Sequence, residues 1–148
     1  MPGSSKSVVD ANIAIFKLIP TSQTPLALKL WQKFQTERVS LYAPRLWIYE
    51  LTSTIQKYVA TQRISETEKE KAIRTAFDLD FGFVEDTPEL CISAIKWAER
   101  LNQIVAYDGF YLAVAEQLDA PFWTADKRLA NNARQLGVKW VSWMGELE

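Results

Sequence analysis

Two aspartates stand where apolar segments of this sequence break or end, and they are the first residues that could do chemistry. Asp10 interrupts the apolar run VVDANIAIF (8–16), which has the composition of a core strand, and Asp126 ends the segment APFWTAD. An unpaired carboxylate costs several kcal/mol to remove from water, so each acid needs a hydrogen-bond donor, a cation or solvent. We expect the partner of Asp10 to be a divalent metal ion.

The composition excludes most other kinds of catalytic site. The sequence has no histidine, which excludes Ser-His-Asp triads, Cys-His pairs, histidine-ligated zinc and histidine bases. Its one cysteine, Cys91, excludes an intrachain disulfide and a cysteine-built zinc site, and it fits a reducing compartment. If the protein is an enzyme, carboxylates or lysines must therefore do its work.

Length and charge indicate one globular unit without an overall basic field. The chain has 148 residues, 48% of them hydrophobic, and its 17 basic and 18 acidic side chains give a net charge of −1. We therefore expect a single domain over 1–148, with residues 1–6 flexible, and any contact with nucleic acid to be local. The apolar run that follows MPGSSKS is too short for a signal or membrane segment, so we expect a soluble, cytoplasmic protein.

Strand-like and helix-like segments alternate along the chain. Apolar, β-branched or aromatic runs predict strands, and apolar residues at helical spacing predict helices. The predicted strands are the first apolar run, 39–44, 81–87, the segment ending at Asp126, and 138–143. The predicted helices are 24–34, 45–62, one capped by Ser65 with Glu68, one starting at Thr87 and Pro88, 107–118, and one from Lys127 that is closed by Gly137. This alternation is typical of an α/β fold in which helices cover both faces of a parallel sheet.

Asp10 and Asp126 both fall at the carboxyl ends of predicted strands. In open parallel sheets, ligands bind outside those ends. We therefore expect the two acids to meet at one rim of the sheet. Carboxylates a few ångströms apart cannot all stay ionised there unless a cation compensates them.

Four blocks of the sequence carry a resemblance to a known family: VVDANIAI, APRLWIYELTSTI, AYDGFYLAVAEQL and FWTADKRL. In order and spacing they resemble the PIN-domain family, and within it the VapC-like toxin ribonucleases. The resemblance runs from Val8 to about Trp143, and its specificity lies in the ordered set of blocks. It implies a three-layer α/β/α fold with a central, mostly parallel sheet of four to five strands.

The resemblance also implies a site. Position by position, it gives catalytic and metal-ligating roles to four carboxylates and supporting roles to two small polar residues. These are Asp10, Glu50, Asp108 and Asp126, supported by Asn12 and Thr124. Oxygen ligands favour hard Mg²⁺ or Mn²⁺, and such a cation makes a bound water more acidic and offsets charge on a phosphodiester. The implied function is a metal-dependent endoribonuclease that is the toxin of a toxin–antitoxin pair.

Each of the four acids also has an ordinary structural interpretation. Asp10 could be a turn or helix-cap residue, and Asp126 could cap the helix that follows, a role that does not exclude metal binding. Asp108 could favour a helix dipole, and Glu50, at the flank of an apolar stripe, could be a solvated glutamate. The acids in predicted turns and strand edges are interpreted as solvated surface: Asp78, Asp80, Glu85, Asp86 and Asp119.

Two departures from the family pattern bear on the site. Gly109 stands where relatives more usually carry alanine, which lowers helix propensity near a terminus. Lys127 and Arg128 follow Asp126 where some relatives have a further acid, so the number of metal ions, one or two, stays open. Basic side chains near the rim are candidates to hold RNA phosphates, although surface cations more often serve solubility. These candidates are Lys17, Arg45, Lys127, Arg128 and Arg134.

The partners follow from the resemblance and not from composition. VapC-like proteins are held inactive by a cognate VapB-like antitoxin, which covers the acidic groove and directs a basic side chain toward it. Trp31, Trp47 and Trp97 lie on amphipathic predicted helices. They could line an antitoxin groove or a homodimer face, or they could be core, which is the interpretation we favour. We expect an RNA substrate, the antitoxin and a second copy of the chain as partners, and no membrane.

Two other kinds of protein could use clustered acids. A PIN-like module could bind RNA or protein without cutting, but it would need no dense negative cluster facing phosphate. A small receiver domain also gathers aspartates around Mg²⁺ at strand ends. It would need a phospho-acceptor in mid-chain and a late lysine, whereas Glu50 falls on a predicted helix.

Overall fold

The structure of the protein, a computed structural model, describes residues 5–147. Within this range the chain forms five β-strands, seven α-helices and a short 3-10 helix at Met144–Glu146. The strands are β1 (Lys6–Val9), β2 (Ser40–Pro44), β3 (Gly82–Val84), β4 (Phe122–Thr124) and β5 (Val141–Trp143). The α-helices are α1 (Ala11–Leu18), α2 (Thr24–Thr36), α3 (Leu46–Ala60), α4 (Glu66–Phe77), α5 (Pro88–Arg100), α6 (Tyr107–Leu118) and α7 (Lys127–Gln135). No helix in this range is both long and apolar enough to span a bilayer.

The five strands form one sheet in the order β3-β2-β1-β4-β5. β1 is central, since Val8 is in register with Tyr42 of β2 on one side and with Phe122 of β4 on the other. The outer strands β3 and β5 run parallel to β2 and β4. The predicted α/β fold with a mostly parallel sheet of four to five strands is confirmed, and the sheet has five strands, all parallel.

The strand order reverses at β1. The chain moves from β1 through β2 to β3 on one side, then returns across the sheet to β4 and β5. Because parallel crossovers are right-handed, helices of the first half lie on one face and those of the second half on the other. The contacts agree, since α1 packs with α2, α3 and α4, while α5 packs on α6. The helices and the sheet thus form three layers. The reversal of the strand order places the topological switch point between β1 and β4, at their carboxyl ends.

Capping signals in the sequence mark several helix ends correctly. Ser65 and Glu68 exchange side-chain-to-backbone hydrogen bonds of 3.1 Å, which is the predicted capping box at the start of α4. Thr87 caps α5, whose first residue is Pro88. Gly137 follows α7 with φ +83°, a left-handed conformation that glycine adopts without strain. These predicted starts and stops are confirmed.

The composition of the first apolar run (8–16) suggested a strand, but only its first two residues belong to one. β1 ends at Val9, and α1 begins at Ala11. Asp10 separates the two elements because its side chain accepts the backbone N–H of Ile13 and so caps the helix. The sequence prediction failed because α1 is buried on most sides, and a short apolar run without a polar face does not distinguish a strand from a buried helix.

Residues 5 and 6, the described part of the segment that was expected to be flexible, take part in the sheet. Residues 1–6 were expected to be flexible, yet Lys6 is the first residue of β1, and the carbonyl of Ser5 accepts the N–H of Ser40 at 2.9 Å. Residues 1–4 lie outside the described part of the chain. The single domain over 1–148 stays a prediction.

The three tryptophans on amphipathic helices belong to the core. Trp31, Trp47 and Trp97 are 6%, 1% and 4% exposed. The ring of Trp47 lies 4.6 Å from that of Phe81, and Trp97 contacts Trp140 edge-on at 5.5 Å. Their packing therefore decides between the two interpretations in favour of the core, and the aromatic content is used to hold helices on the sheet.

Candidate active site

All six residues of the predicted site line one cavity of about 250 Å³ at the carboxyl end of the sheet. Its walls come from β4, from the middle of α3 and from the amino-terminal parts of α1, α6 and α7. The lining residues are Asp10, Ala11, Asn12, Glu50, Ser53, Thr54, Asp108, Tyr111, Phe122, Thr124, Asp126 and Leu129. A larger cavity of about 600 Å³ at the amino ends of β2 and β3 contains none of the four acids.

Asp10 is the most buried of the four acids, with 8% of its surface exposed. One carboxylate oxygen accepts the N–H of Ile13, and the other accepts the Thr124 hydroxyl at 2.6 Å and the Ala125 N–H at 3.1 Å. Burial nevertheless raises the pKa of Asp10 to about 6, with a smaller contribution from the charge of Asp108. Three donors thus orient this carboxylate without fully compensating its charge.

Thr124 and Asn12 differ in how they meet the cavity. Thr124 is fully buried; its hydroxyl donates to Asp10 and accepts the backbone N–H of Asp126 at 3.0 Å. It therefore ties the two acids at the switch point to each other, and it acts on a ligand through them. Asn12, in the first turn of α1, is exposed and lines the cavity.

Glu50 lies one turn into α3 and is half-buried, so it is not the solvated glutamate of the alternative interpretation. The hydroxyl of Tyr111 donates to its Oε1 at 2.5 Å. Burial raises the pKa of Glu50, and the charges of Asp10 and Asp108 raise it further, while the hydrogen bond from Tyr111 opposes the change. Glu50 therefore belongs electrostatically to the same group of acids.

Asp108 and Asp126 approach from two helix amino termini. Asp108 lies in the first turn of α6, half-buried, and its Oδ2 accepts the side-chain amide of Gln103 at 2.8 Å. Burial raises its pKa, and the charge of Asp126 adds to the rise. Asp126 is exposed and caps α7 by accepting the N–H of Leu129 at 3.1 Å. Its predicted capping role is thus present, and it leaves the second oxygen for other contacts.

The four carboxylates fit a hard divalent cation by their chemistry. The donor set consists of oxygen atoms, and three of the acids hold raised pKa values partly because of their neighbours' charges. As the side chains stand, no three acidic, cysteine or histidine residues within 5–147 are grouped closely enough to hold a metal ion directly. Mg²⁺ needs no such group, since it is commonly bound through one or two carboxylates and keeps several waters.

Some cavity residues were not predicted from the sequence. Ser53 and Thr54 line the cavity one helical turn after Glu50, and Tyr111 does so one turn after Asp108. The spacing of three and four residues in a helix could have identified all three. Gln103, in the loop before α6, does not line the cavity but contacts Asp108, and it has no periodicity that would single it out.

The basic side chains proposed as phosphate contacts do not line the cavity. Two of them are paired with acids, Arg45 with Glu85 and Arg134 with Glu146. Two others lie over tryptophan rings, Lys17 at 5.8 Å from the centre of Trp31 and Lys127 at 5.0 Å from that of Trp143. Arg128 is exposed. The five acids predicted to be solvated surface are indeed exposed: Asp78, Asp80, Glu85, Asp86 and Asp119.

The chain is similar to known proteins along most of its length. VapC ribonucleases of Mycobacterium bovis and Mycobacterium tuberculosis are 29% identical to the chain over 127 residues, 86% of this chain and 91% of theirs. The solved structure of PAE2754 from Pyrobaculum aerophilum matches 96% of this chain and 92% of its own, with a TM-score of 0.67 at 19% identity. A toxin–antitoxin complex from Klebsiella pneumoniae matches 95% of this chain and 99% of its own, with a TM-score of 0.60 at 17% identity. A family model described as a PIN domain matches residues 8–139, so the chain belongs to the PIN-domain family.

Proposed function

We propose that the protein is a divalent-metal-dependent endoribonuclease in which Asp10, Glu50, Asp108 and Asp126 hold Mg²⁺ or Mn²⁺. One observation carries this proposal. Four carboxylates from separate segments line one cavity, and three of them, Asp10, Glu50 and Asp108, have raised pKa values, chiefly because they are buried and partly because of the charges of other acids. A cluster of this kind is unfavourable in a metal-free protein, which supports a role for bound positive charge.

The family supports RNA as the substrate. The mycobacterial relatives are named as VapC ribonucleases, and the resemblance spans most of both chains. Phosphodiester hydrolysis is also the reaction that clustered carboxylates and a hard cation serve without histidine. The non-catalytic PIN-like module is the alternative, and it predicts RNA or protein binding without cleavage.

The residues of the cavity have separate tasks in this proposal. A bound divalent cation would supply a more acidic water and offset charge on the phosphodiester. Asp10 is held rigidly by its three donors, so it can fix the position of a ligand. Ser53 and Thr54 present hydroxyls that can bond phosphate oxygens. Tyr111 stays a neutral donor to Glu50, because burial and that nearby charge raise its pKa well above the usual value.

We also infer a protein partner, a VapB-like antitoxin that covers the acidic cavity. The similarity in fold to a toxin–antitoxin complex supports this partner, and so does the need of the cavity for positive charge. A basic side chain placed among the four acids would gain a charge-assisted hydrogen bond. The homodimer stays a prediction.

The test is cleavage of RNA by purified protein free of any antitoxin. We expect cleavage in Mg²⁺ or Mn²⁺, loss of cleavage in EDTA, and at least a 100-fold loss in Asp10→Asn and Asp126→Asn, the scale on which such groups act. Asp86→Asn, an exposed aspartate outside the cavity, is the matched control and should cleave like the wild type. If Asp10→Asn cut RNA at the wild-type rate, the cleavage would not come from this cavity and the proposed site would be wrong. If wild type bound RNA without cutting it, the binding-module alternative would replace the nuclease.

A further inference from the structure

The loop between α5 and α6 fixes the backbone of Gln103 on the end of a helix. Asn102 adopts the left-handed conformation with φ +58°, and its N–H donates to the carbonyl of Glu99 at 3.1 Å. The N–H of Gln103 donates to the carbonyl of Ala98 at 2.9 Å. These two bonds make a Schellman motif, which ends α5 and sets the direction in which the chain leaves it. Gln103 therefore has a defined place relative to α5.

The side chain of Gln103 reaches from this turn to the acid on the next helix. Its Nε2 donates to Oδ2 of Asp108 at 2.8 Å, while its Oε1 is buried and finds no donor among the described residues. An ionised carboxylate only accepts hydrogen bonds, so the amide must turn its NH₂ group toward Asp108. A buried oxygen without a donor is unfavourable. The hydrogen bond to Asp108 is therefore what sets the orientation of this amide.

We propose that Gln103 is a positioning residue for the metal site. Its amide holds one carboxylate oxygen of Asp108 and leaves the other oxygen for the cation. The inference rests on the proposed function. Asp108 is half-buried, so its carboxylate has lost part of its contact with water, and the amide of Gln103 supplies a donor at 2.8 Å. Ala106, the residue before α6, has no side chain that could bond the helix end and so help to order this segment.

The other three acids of the cavity are each oriented by a donor of their own. The donors are the Thr124 hydroxyl for Asp10, the Tyr111 hydroxyl for Glu50 and the Leu129 N–H for Asp126. Gln103 supplies the corresponding contact to Asp108 and completes the set. Outer contacts of this kind typically change metal affinity by about 10- to 100-fold when they are removed.

Gln103→Met tests the proposal because methionine keeps the length of the side chain and removes both the donor and the unpaired oxygen. The metal-free variant should unfold close to the wild-type temperature, because removal of the unpaired buried oxygen offsets the loss of the donor to Asp108. Mn²⁺ binding, followed by the electron paramagnetic resonance of free Mn²⁺, should weaken about 10-fold. The Mg²⁺ concentration for half-maximal RNA cleavage should rise by the same factor, with a rate at saturating metal close to that of wild type. Gln117→Met, on the exposed face of α6, is the matched control and should change none of these.

The outcomes separate this inference from the function on which it rests. Wild-type cleavage together with equal Mn²⁺ affinity in the two proteins would overturn the positioning role and leave the nuclease standing. A lower unfolding temperature with unchanged Mn²⁺ affinity would also overturn it, because the glutamine would then be merely structural. If wild type neither bound Mn²⁺ nor cleaved RNA, the proposed function would fail and this inference with it.

Discussion

Replacing Asp10 with asparagine should change how the stability of the metal-free protein depends on pH. Burial raises the pKa of Asp10 from an ordinary 3.8 to about 6 in the folded protein. The folded state therefore holds this proton more tightly than the unfolded chain does. The resulting stabilisation is fully present below about pH 4 and is lost as the pH rises through about 6. Above that pH the folded protein carries a carboxylate whose desolvation is not compensated.

The interval between the two pKa values sets the size of the effect. One pH unit corresponds to about 1.4 kcal/mol, so the full loss of unfolding free energy is about 3 kcal/mol. At pH 4.5 the unfolded chain has already lost most of this proton, and about 2 kcal/mol is then left to be lost between pH 4.5 and pH 8. The pKa of about 6 for Asp10 in the folded protein already includes the effect of its three hydrogen-bond donors.

The assay is urea unfolding of wild type and Asp10→Asn in EDTA across this pH range. Asparagine does not titrate, and the pH dependence of the donor contacts to the Asp10 carboxylate is already part of the folded pKa. The difference between the two unfolding free energies should therefore move by about 2 kcal/mol in favour of the variant between pH 4.5 and pH 8. Mg²⁺ at pH 8 should stabilise wild type more than the variant. Asp86→Asn is the control and should follow the wild-type profile. If the difference in unfolding free energy between wild type and Asp10→Asn did not change with pH, Asp10 would not be an uncompensated buried charge.

Two further substitutions test the packing around the site. Gly109→Ala would place a Cβ atom 2.2 Å from the carbonyl oxygen of Ala94, so α5 and α6 would have to separate. The unfolding free energy should therefore fall by about 1–3 kcal/mol. Unchanged urea unfolding would show that the helices do not approach this closely. Thr124→Val keeps the shape of a fully buried side chain but removes the donor to Asp10. It should lower the unfolding free energy by about 1–3 kcal/mol at pH 8, whereas Thr124→Ser, which keeps the hydroxyl and loses one methyl group, should lose less. An unchanged unfolding free energy in Thr124→Val would contradict the contribution of this hydrogen bond.

Elements with explicit boundary signals could be predicted from the sequence, and an element without them could not. α6 was predicted at 107–118 and lies at Tyr107–Leu118, and α3 was predicted two residues longer at its end than Ala60. α3 buries Trp47, Leu51 and Ile55 and has a polar face, which is the signal that identifies an amphipathic helix. α6 buries the consecutive residues 111–115, and its 12 residues identify it as a helix because strands are usually shorter. α1 has buried residues on most sides, so its eight residues carry no such signal. Only Asp10, which caps α1 by accepting the N–H of Ile13, separates this helix from β1.

The acids of the site were predictable, but the donors that orient them were not. The ordered blocks of the family place four carboxylates along the chain, and their position at one cavity follows from the strand order. The contact of Tyr111 with Glu50 and that of Gln103 with Asp108 depend on how α3, α5 and α6 pack together. Spacing along one helix does not contain that information. The catalytic and metal-binding roles of the acids stay predictions.

The fold already offsets part of the negative charge that it gathers. Asp10 and Asp126 cap α1 and α7, and Asp108 lies in the first turn of α6, so three helices direct their positive ends toward the acids. Backbone and side-chain donors add to this, yet burial still holds the pKa of Asp10 near 6. The negative charge of the acids is thus only partly compensated. The missing positive charge can come from a cation that promotes hydrolysis or from a basic side chain that prevents it. In the proposed function, the same electrostatic deficit therefore accounts for both activation by metal and inhibition by an antitoxin.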